Sequence, residues 1–90
     1  MGLFLEFIIK NNKIFLEDSN KKILAEIEFE EIGNGIYNIY HTFVDESLRG
    51  KGIASKLVEQ AINEIKKRNG KVQATCSYAK KWIEKNGKFI

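Results

Sequence analysis

Polarity alternates with a period of two over the first half of the chain and with a helical period over much of the second. Leu3, Leu5, Phe7 and Ile9 alternate with Phe4, Glu6, Ile8 and Lys10, the pattern of a strand. Asn11-Asn12 then predicts a tight hairpin turn, because Asn tolerates positive φ. Ile14 to Glu17 reads as the returning strand, and Asp18-Ser19-Asn20 as a second turn. Ile23, Ala25, Ile27 and Phe29 alternate with Leu24, Glu26, Glu28 and Glu30, predicting a third strand with one wet face. Gly33-Asn34-Gly35 turns the chain again. Ile36 to Val44, rich in β-branched and aromatic residues, predicts a fourth strand. Alternation along it groups His41 with Tyr37, Ile39 and Phe43 on one face.

The period then changes. Leu57, Val58, Ala61, Ile62 and Ile65 recur at helical spacing, opposite a polar face that runs from Lys56 to Lys67. Asn69-Gly70 predicts the end of that helix. Lys71 to Cys76 reads as a fifth strand, and Ser77 as the N-cap of a last helix, Tyr78 to Lys85, closed by Asn86-Gly87. The predicted class is α+β, a five-stranded mixed sheet in the order ββββ-α-β-α. The strand–helix–strand unit makes its two strands parallel through a right-handed crossover. No linker or repeat interrupts the pattern, so residues 1–90 read as a single domain.

Charge sharpens this picture through its distribution rather than its net value of +3. Residues 1–48 carry four Lys against nine acids, a net −5, and residues 49–90 carry eleven Lys/Arg against three acids, a net +8. A basic half points to an anionic partner, a polyphosphate or a nucleic acid. The single Cys, Cys76, excludes an internal disulfide and fits a cytoplasmic protein. No charged head precedes a long apolar run, as a signal peptide requires, and no apolar segment approaches the ~20 residues of a membrane span.

The candidate chemistry centres on the loop after the fourth strand, Arg49-Gly50-Lys51-Gly52-Ile53-Ala54, and on the helix that starts there. A helix N-terminus presents unsatisfied N–H groups and partial positive charge, which suits a phosphate or pyrophosphate. Gly50 and Gly52 let the backbone approach such a group closely, and Arg49 and Lys51 add charge beside it. Ser55 stands where a dinucleotide fingerprint needs its third Gly. Gly52 follows Lys51 where a P-loop needs Ser or Thr.

Strand, Arg-Gly-Lys-Gly-Ile-Ala, helix, strand, helix resembles the Gcn5-related N-acetyltransferase (GNAT) superfamily, and within it a small, compact subfamily. The family's acetyl-CoA motif is matched by Arg49, Gly52 and Ala54, with Val44 five residues before the Arg. The resemblance implies a GNAT-like sheet with a reduced N-terminal region and acetyl-CoA as co-substrate, with no metal. Backbone N–H groups of the loop from Arg49 through Gly50, Lys51, Gly52, Ile53 and Ala54 to Ser55 would hold the pyrophosphate. Those of Thr42, Phe43 and Val44 would hold the acetyl carbonyl, an oxyanion-hole arrangement. The pantetheine arm would lie between the fourth and fifth strands, which splay apart. The acceptor would be an amine, on a small molecule or a protein.

Three residues are candidates for the chemistry. Cys76, near the expected thioester, is either an acetyl-accepting nucleophile or a group lining the acetyl site, and a following helix N-terminus favours its thiolate. His41, the one histidine, is a candidate base for the amine. Tyr78 is a candidate proton donor, because Ile83 stands where the family usually has a Tyr on its last helix. Direct attack by the amine is the expected route, with an acetylated Cys76 as the alternative. Glu26, Glu28 and Glu30 either attract a cationic amine or relay protons, or simply form a solvated face. Two rival functions are a non-catalytic CoA or acyl-CoA-binding module and a basic nucleic-acid-binding domain. The second has no recognised motif, so nucleic acid is the weaker partner; no membrane is expected, and the chain reads as a monomer or weak homodimer.

Overall fold

The computed structural model describes residues 6–87. Its elements are β1 (Ile8–Lys10), β2 (Lys13–Glu17), β3 (Ile23–Gly33), β4 (Ile36–Val44), α1 (Ile53–Lys67), β5 (Lys71–Ala74) and α2 (Ser77–Lys85). One sheet holds the strands in the order β1-β2-β3-β4-β5. The first four pair antiparallel, and β5 joins β4 in parallel, as a strand–helix–strand unit requires. The expected Leu3 and Leu5 of the first strand lie outside the described residues.

Alternation places the core. Ile14, Leu16, Ala25, Ile27 and Phe29 are buried on one face of the sheet, while Glu26 and Glu28 between them face the other way. Against the apolar face packs α1, whose Leu57, Val58, Ala61, Ile62 and Ile65 are all fully buried. Each of the larger ones, Leu, Val or Ile, contributes roughly 1.5–3 kcal/mol when removed from water. The last helix, α2, lies against β5, β4 and α1 and adds Ala79 to the same cluster.

The structure departs from simple alternation at Tyr40. The β3–β4 register passes from Phe29 opposite Ile39 to Glu28 opposite His41, so β4 carries one extra residue, Tyr40. A β-bulge of this kind resets which face each later side chain takes. Tyr37 and Ile39 pack on the α1 side, where Tyr37 meets the Phe29 ring edge-on at 6.2 Å. His41 and Phe43 take the opposite face, across from Glu28 and Glu26. His41 therefore does not share a face with Ile39.

Smaller departures have equally local causes. The last strand, β5, stops at Ala74 rather than Cys76, because the N–H groups of Thr75 and Cys76 both donate to the Ile39 carbonyl and turn the chain off the ladder. Ser77 is the first residue of α2, and Cys76 takes the N-cap position expected for it, with no side-chain capping bond. The loop after β4 contains a 3-10 turn, Glu46–Leu48, capped by Asp45, whose carboxylate accepts from the Ser47 N–H and hydroxyl. At the end of α1, Asn69 takes the positive φ (60°). Gly70 is fixed there by packing instead: a Cβ would sit 2.6 Å from the Tyr37 ring.

Candidate functional site

The loop between β4 and α1 is built around two left-handed glycines. Gly50 has φ 80° and Gly52 φ 73°, values that L side chains adopt only with strain. Gly52 is also the N-cap of α1 and offers no side-chain cap. The helical ladder begins where Lys56 N–H donates to the Gly52 carbonyl, so the N–H groups of Ile53, Ala54 and Ser55 are left without helical acceptors. Apart from the adjoining residues of the loop, no atom stands within 4 Å of where a Cβ on Gly50 or Gly52 would be. The backbone here is bare on its outer side.

That bare backbone borders a cavity of about 390 Å³ lined by Thr42, Val44, Leu48, Arg49, Gly50, Gly52, Ile53, Ala54, Ser55 and Tyr78. Of the residues picked from the sequence for the cofactor, Phe43 and Lys51 are absent from this lining. The Phe43 side chain belongs to the opposite face of the sheet, and Lys51 is exposed. Leu48, at the edge of the loop read from the sequence, joins the lining through the 3-10 turn. Arg49 makes a long 3.5 Å contact from Nε to the Val44 carbonyl, which ties the loop to the end of β4. The Ser55 hydroxyl is already engaged, accepting from Trp82 Nε1 at 2.7 Å. That bond clasps α2 to the first turn of α1, and nothing in the local sequence signals it. Beside it lies a second cavity of about 620 Å³, lined by Ser55, Tyr78, Lys81, Trp82, Lys85 and Asn86.

The other wall is the end of β4. Pairing between β4 and β5 ends at Ile39 and Ala74, whereas β4 runs on to Val44. Asp45 N–H donates to the Leu24 carbonyl, so in this antiparallel ladder the hydrogen-bonded pairs that follow are Phe43 with Glu26 and His41 with Glu28. The N–H groups of Thr42 and Val44 consequently point away from β3, into the gap that β5 leaves.

Cys76 sits at this gap. Its thiol donates to Thr42 Oγ1 at 3.4 Å. Burial pushes the thiol up, but the Thr42 hydroxyl and the N–H groups of Ala79, Tyr78 and Thr42 outweigh it and hold the thiol below its ordinary value. His41 is not beside it. Its Nε2 lies 3.1 Å from Glu26 Oε2 on the other face. Lys13 Nζ reaches Glu26 Oε1 at 3.2 Å. The Tyr40 hydroxyl is raised by partial desolvation, then by the charges of Glu28 and Glu30 and a hydrogen bond to Glu28. Ligand atoms of Glu26, Glu28 and His41 lie within 4.8 Å of one another, but the Lys13 ammonium occupies the Glu26 side of that group. Ile83 packs against the core, so no hydroxyl arises at its position.

The family model described as GCN5-related N-acetyl-transferase matches residues 13–89. Protein NATD1 of Gallus gallus is 32% identical over 62 residues, 69% of this chain and 56% of that protein. The Homo sapiens NATD1 gives 32% over 69% of this chain and 55% of its own length. The aligned stretch thus spans about half of these relatives. Among solved structures, the NMR structure of a GCN5-like protein from Staphylococcus aureus superposes with a TM-score of 0.78 at 34% identity, over 94% of this chain and 83% of that one. A crystal structure of an acetyltransferase of the GNAT family from S. aureus Mu50, 20% identical over 83% of this chain and 51% of that one, shares the fold with a TM-score of 0.67. Among the described residues no helix is long and apolar enough to cross a membrane. With the family match covering most of the chain and the same sheet in its neighbours, the protein belongs to the GCN5-related N-acetyltransferases.

Proposed function

We propose that this protein binds acetyl-CoA at the N-terminus of α1 and transfers the acetyl group to an amine by direct attack. The observation that carries the reading is the juxtaposition of two sets of backbone donors left outside the helix and sheet ladders, the Thr42 N–H among them being turned toward the Cys76 thiol. One set opens α1 behind Gly50 and Gly52, and the other, on Thr42 and Val44, lines the gap beside β5. The first suits the pyrophosphate. The second suits the thioester oxygen, where negative charge grows as the amine attacks. Arg49 adds charge beside the first set. Lys81 and Lys85, one turn apart on α2, edge the adjoining cavity and suit a further phosphate of the cofactor.

Residues 1–90 act in this reading as one acetyl-CoA-binding unit, monomeric or weakly dimeric, in the cytoplasm. The reaction draws on no metal. The carbonyl is polarised by backbone N–H groups, His41 receives the proton of the amine, and Tyr78 or solvent supplies a proton to the departing thiolate. Cys76 lines the acetyl site. Direct attack is favoured over an acetylated Cys76 because His41 stands on the outer face, where it meets an amine arriving from that side rather than the thiol. The acceptor is a small-molecule or protein amine.

A second reading, a CoA-binding module with little turnover, draws on Ile83 in place of the usual Tyr. A thiol-release assay with acetyl-CoA and a panel of amines separates the two. Amine-dependent release supports transfer; tight acetyl-CoA binding without release from any amine supports the module. Salt-sensitive binding of nucleic acid with no acetyl-CoA affinity would overturn both.

A further inference from the structure

We propose that Glu26 is a positioning residue for acetyl transfer: it holds the Nε2 proton of His41 and so leaves Nδ1 as the atom that takes the proton of the attacking amine. This rests on the transfer reading above. An ionised carboxylate is an acceptor only, so the ring nitrogen facing it at 3.1 Å carries the proton in the neutral imidazole. The carboxylate is itself held from its other oxygen by Lys13 at 3.2 Å. It is also the better buried partner, with its side chain 19% exposed against 41% for His41. The ring is therefore gripped at one nitrogen, while its other nitrogen bonds no side chain among the described residues. A carboxylate that fixes a histidine tautomer is a recurring way to aim a base.

The bulge at Tyr40 is what makes this arrangement. Without the extra residue, His41 would turn toward the core beside Ile39. With it, His41 lies on the outer face one residue from Thr42, whose N–H points into the gap beside β5. Titratable groups that share this face include Lys10, Lys13, Glu28, Glu30 and Tyr40, and Tyr40 engages Glu28.

The step balances. The amine lone pair forms the C–N bond at the thioester carbonyl carbon, and the nitrogen becomes positively charged. Its proton passes to Nδ1 as the C–S bond breaks and the thiolate leaves with the electron pair. The imidazolium then returns its proton to solvent, and the thiolate takes one.

The test uses the whole chain labelled with 15N-histidine, which gives one ring because His41 is the one histidine. Long-range 1H–15N correlation above the imidazole titration is expected to show Nε2 fully protonated and Nδ1 bare. In Glu26→Ala both nitrogens should move toward the tautomer mixture of a free imidazole. Amine-dependent kcat should fall about tenfold in Glu26→Ala and about a hundredfold in His41→Ala, with the KM for acetyl-CoA unchanged. The double variant should be no slower than His41→Ala, because Glu26 acts through the ring. Glu26→Leu, which has no hydrogen-bond acceptor on its side chain, serves where Glu26→Ala folds poorly. A wild-type ring with the free tautomer mixture, or kcat losses that multiply in the double variant, would overturn the proposal. Absence of turnover with every amine would instead overturn the transfer reading, while the ring signals still decide the hold of Glu26 on His41.

Discussion

The two ends of α1 are built in opposite ways. At the C-terminal end the chain is tied down: the N–H groups of Arg68, Asn69 and Gly70 all donate to carbonyls of the last turn. Arg68 caps the helix, bonds Glu64 from Nε at 3.0 Å, donates to Asn12 Oδ1 at 2.7 Å and to the Asn11 carbonyl, and lies over the Phe29 and Tyr37 rings at 5.3 and 5.7 Å. Gly70 is jammed against Tyr37. At the N-terminal end the cap is a left-handed glycine with no side chain, the first N–H groups have no helical acceptor, and open space lies outside the backbone. Both ends are basic in sequence. The difference teaches that charge in this chain has two uses: one end fastens the helix to the hairpin, and the other is kept unfinished, as an anion site must be.

The largest expected effect comes from closing the unfinished end. Gly52→Val forces a β-branched residue to φ near 73° and puts its methyls into the proposed pyrophosphate site. Acetyl-CoA affinity measured by calorimetry should fall about a hundredfold or more, ~3 kcal/mol, with a dispersed amide spectrum retained. Unchanged affinity would place the phosphate site elsewhere.

Breaking the finished end should do the reverse. Arg68→Ala removes charge-assisted bonds and two ring contacts, about 2 kcal/mol, and should lower Tm by on the order of 10 °C. Acetyl-CoA affinity of the folded protein should hold. A loss of affinity with Tm unchanged would erase the contrast between the ends.

Arg49→Ala sharpens the comparison within the N-terminal end. Losing one charge-assisted bond to phosphate weakens CoA by about tenfold to a hundredfold, and should spare pantetheine fragments that lack the phosphates. An equal loss for both ligands would make Arg49 a strut for the β4 end through its contact with Val44.

The smallest effect is at Cys76. Its thiol is held below the ordinary value, so thiolate forms at lower pH than in a free cysteine, and iodoacetamide alkylation should rise with a correspondingly lower midpoint. Thr42→Val removes a stabilising hydroxyl and should move that midpoint up. Acetyl-CoA should slow the alkylation. Cys76→Ala should keep substantial amine-dependent turnover under direct attack; near-complete loss would favour an acetylated cysteine.

Much of this contrast is legible in the chain itself. Alternation from Ile23 to Phe29 marks the buried face, helical spacing from Leu57 to Ile65 marks the packed face of α1, and Gly50 and Gly52 mark the bare turn, because each depends only on near neighbours. What escapes is set at a distance. The extra residue at Tyr40 changes the face of His41, and a period of two cannot reveal an inserted residue without its partner strand. Arg68 counts as one more cation in a basic half until Asn11 and Asn12 come round to meet it. The Trp82–Ser55 bond joins two helices whose sequences carry no sign of each other. Asp45 and Ser47 did carry a local signal for the 3-10 turn, since a side chain that bonds its own backbone two residues on starts such a turn.

The most direct test of the account is a titration of the 15N-labelled chain with acetyl-CoA, read amide by amide. The account predicts shifts concentrated at residues 42–44 and 48–55, with residues 64–71 at the finished end of α1 unmoved. No shift in the first set at millimolar acetyl-CoA, or shifts gathered around Arg68 and Gly70, would contradict it.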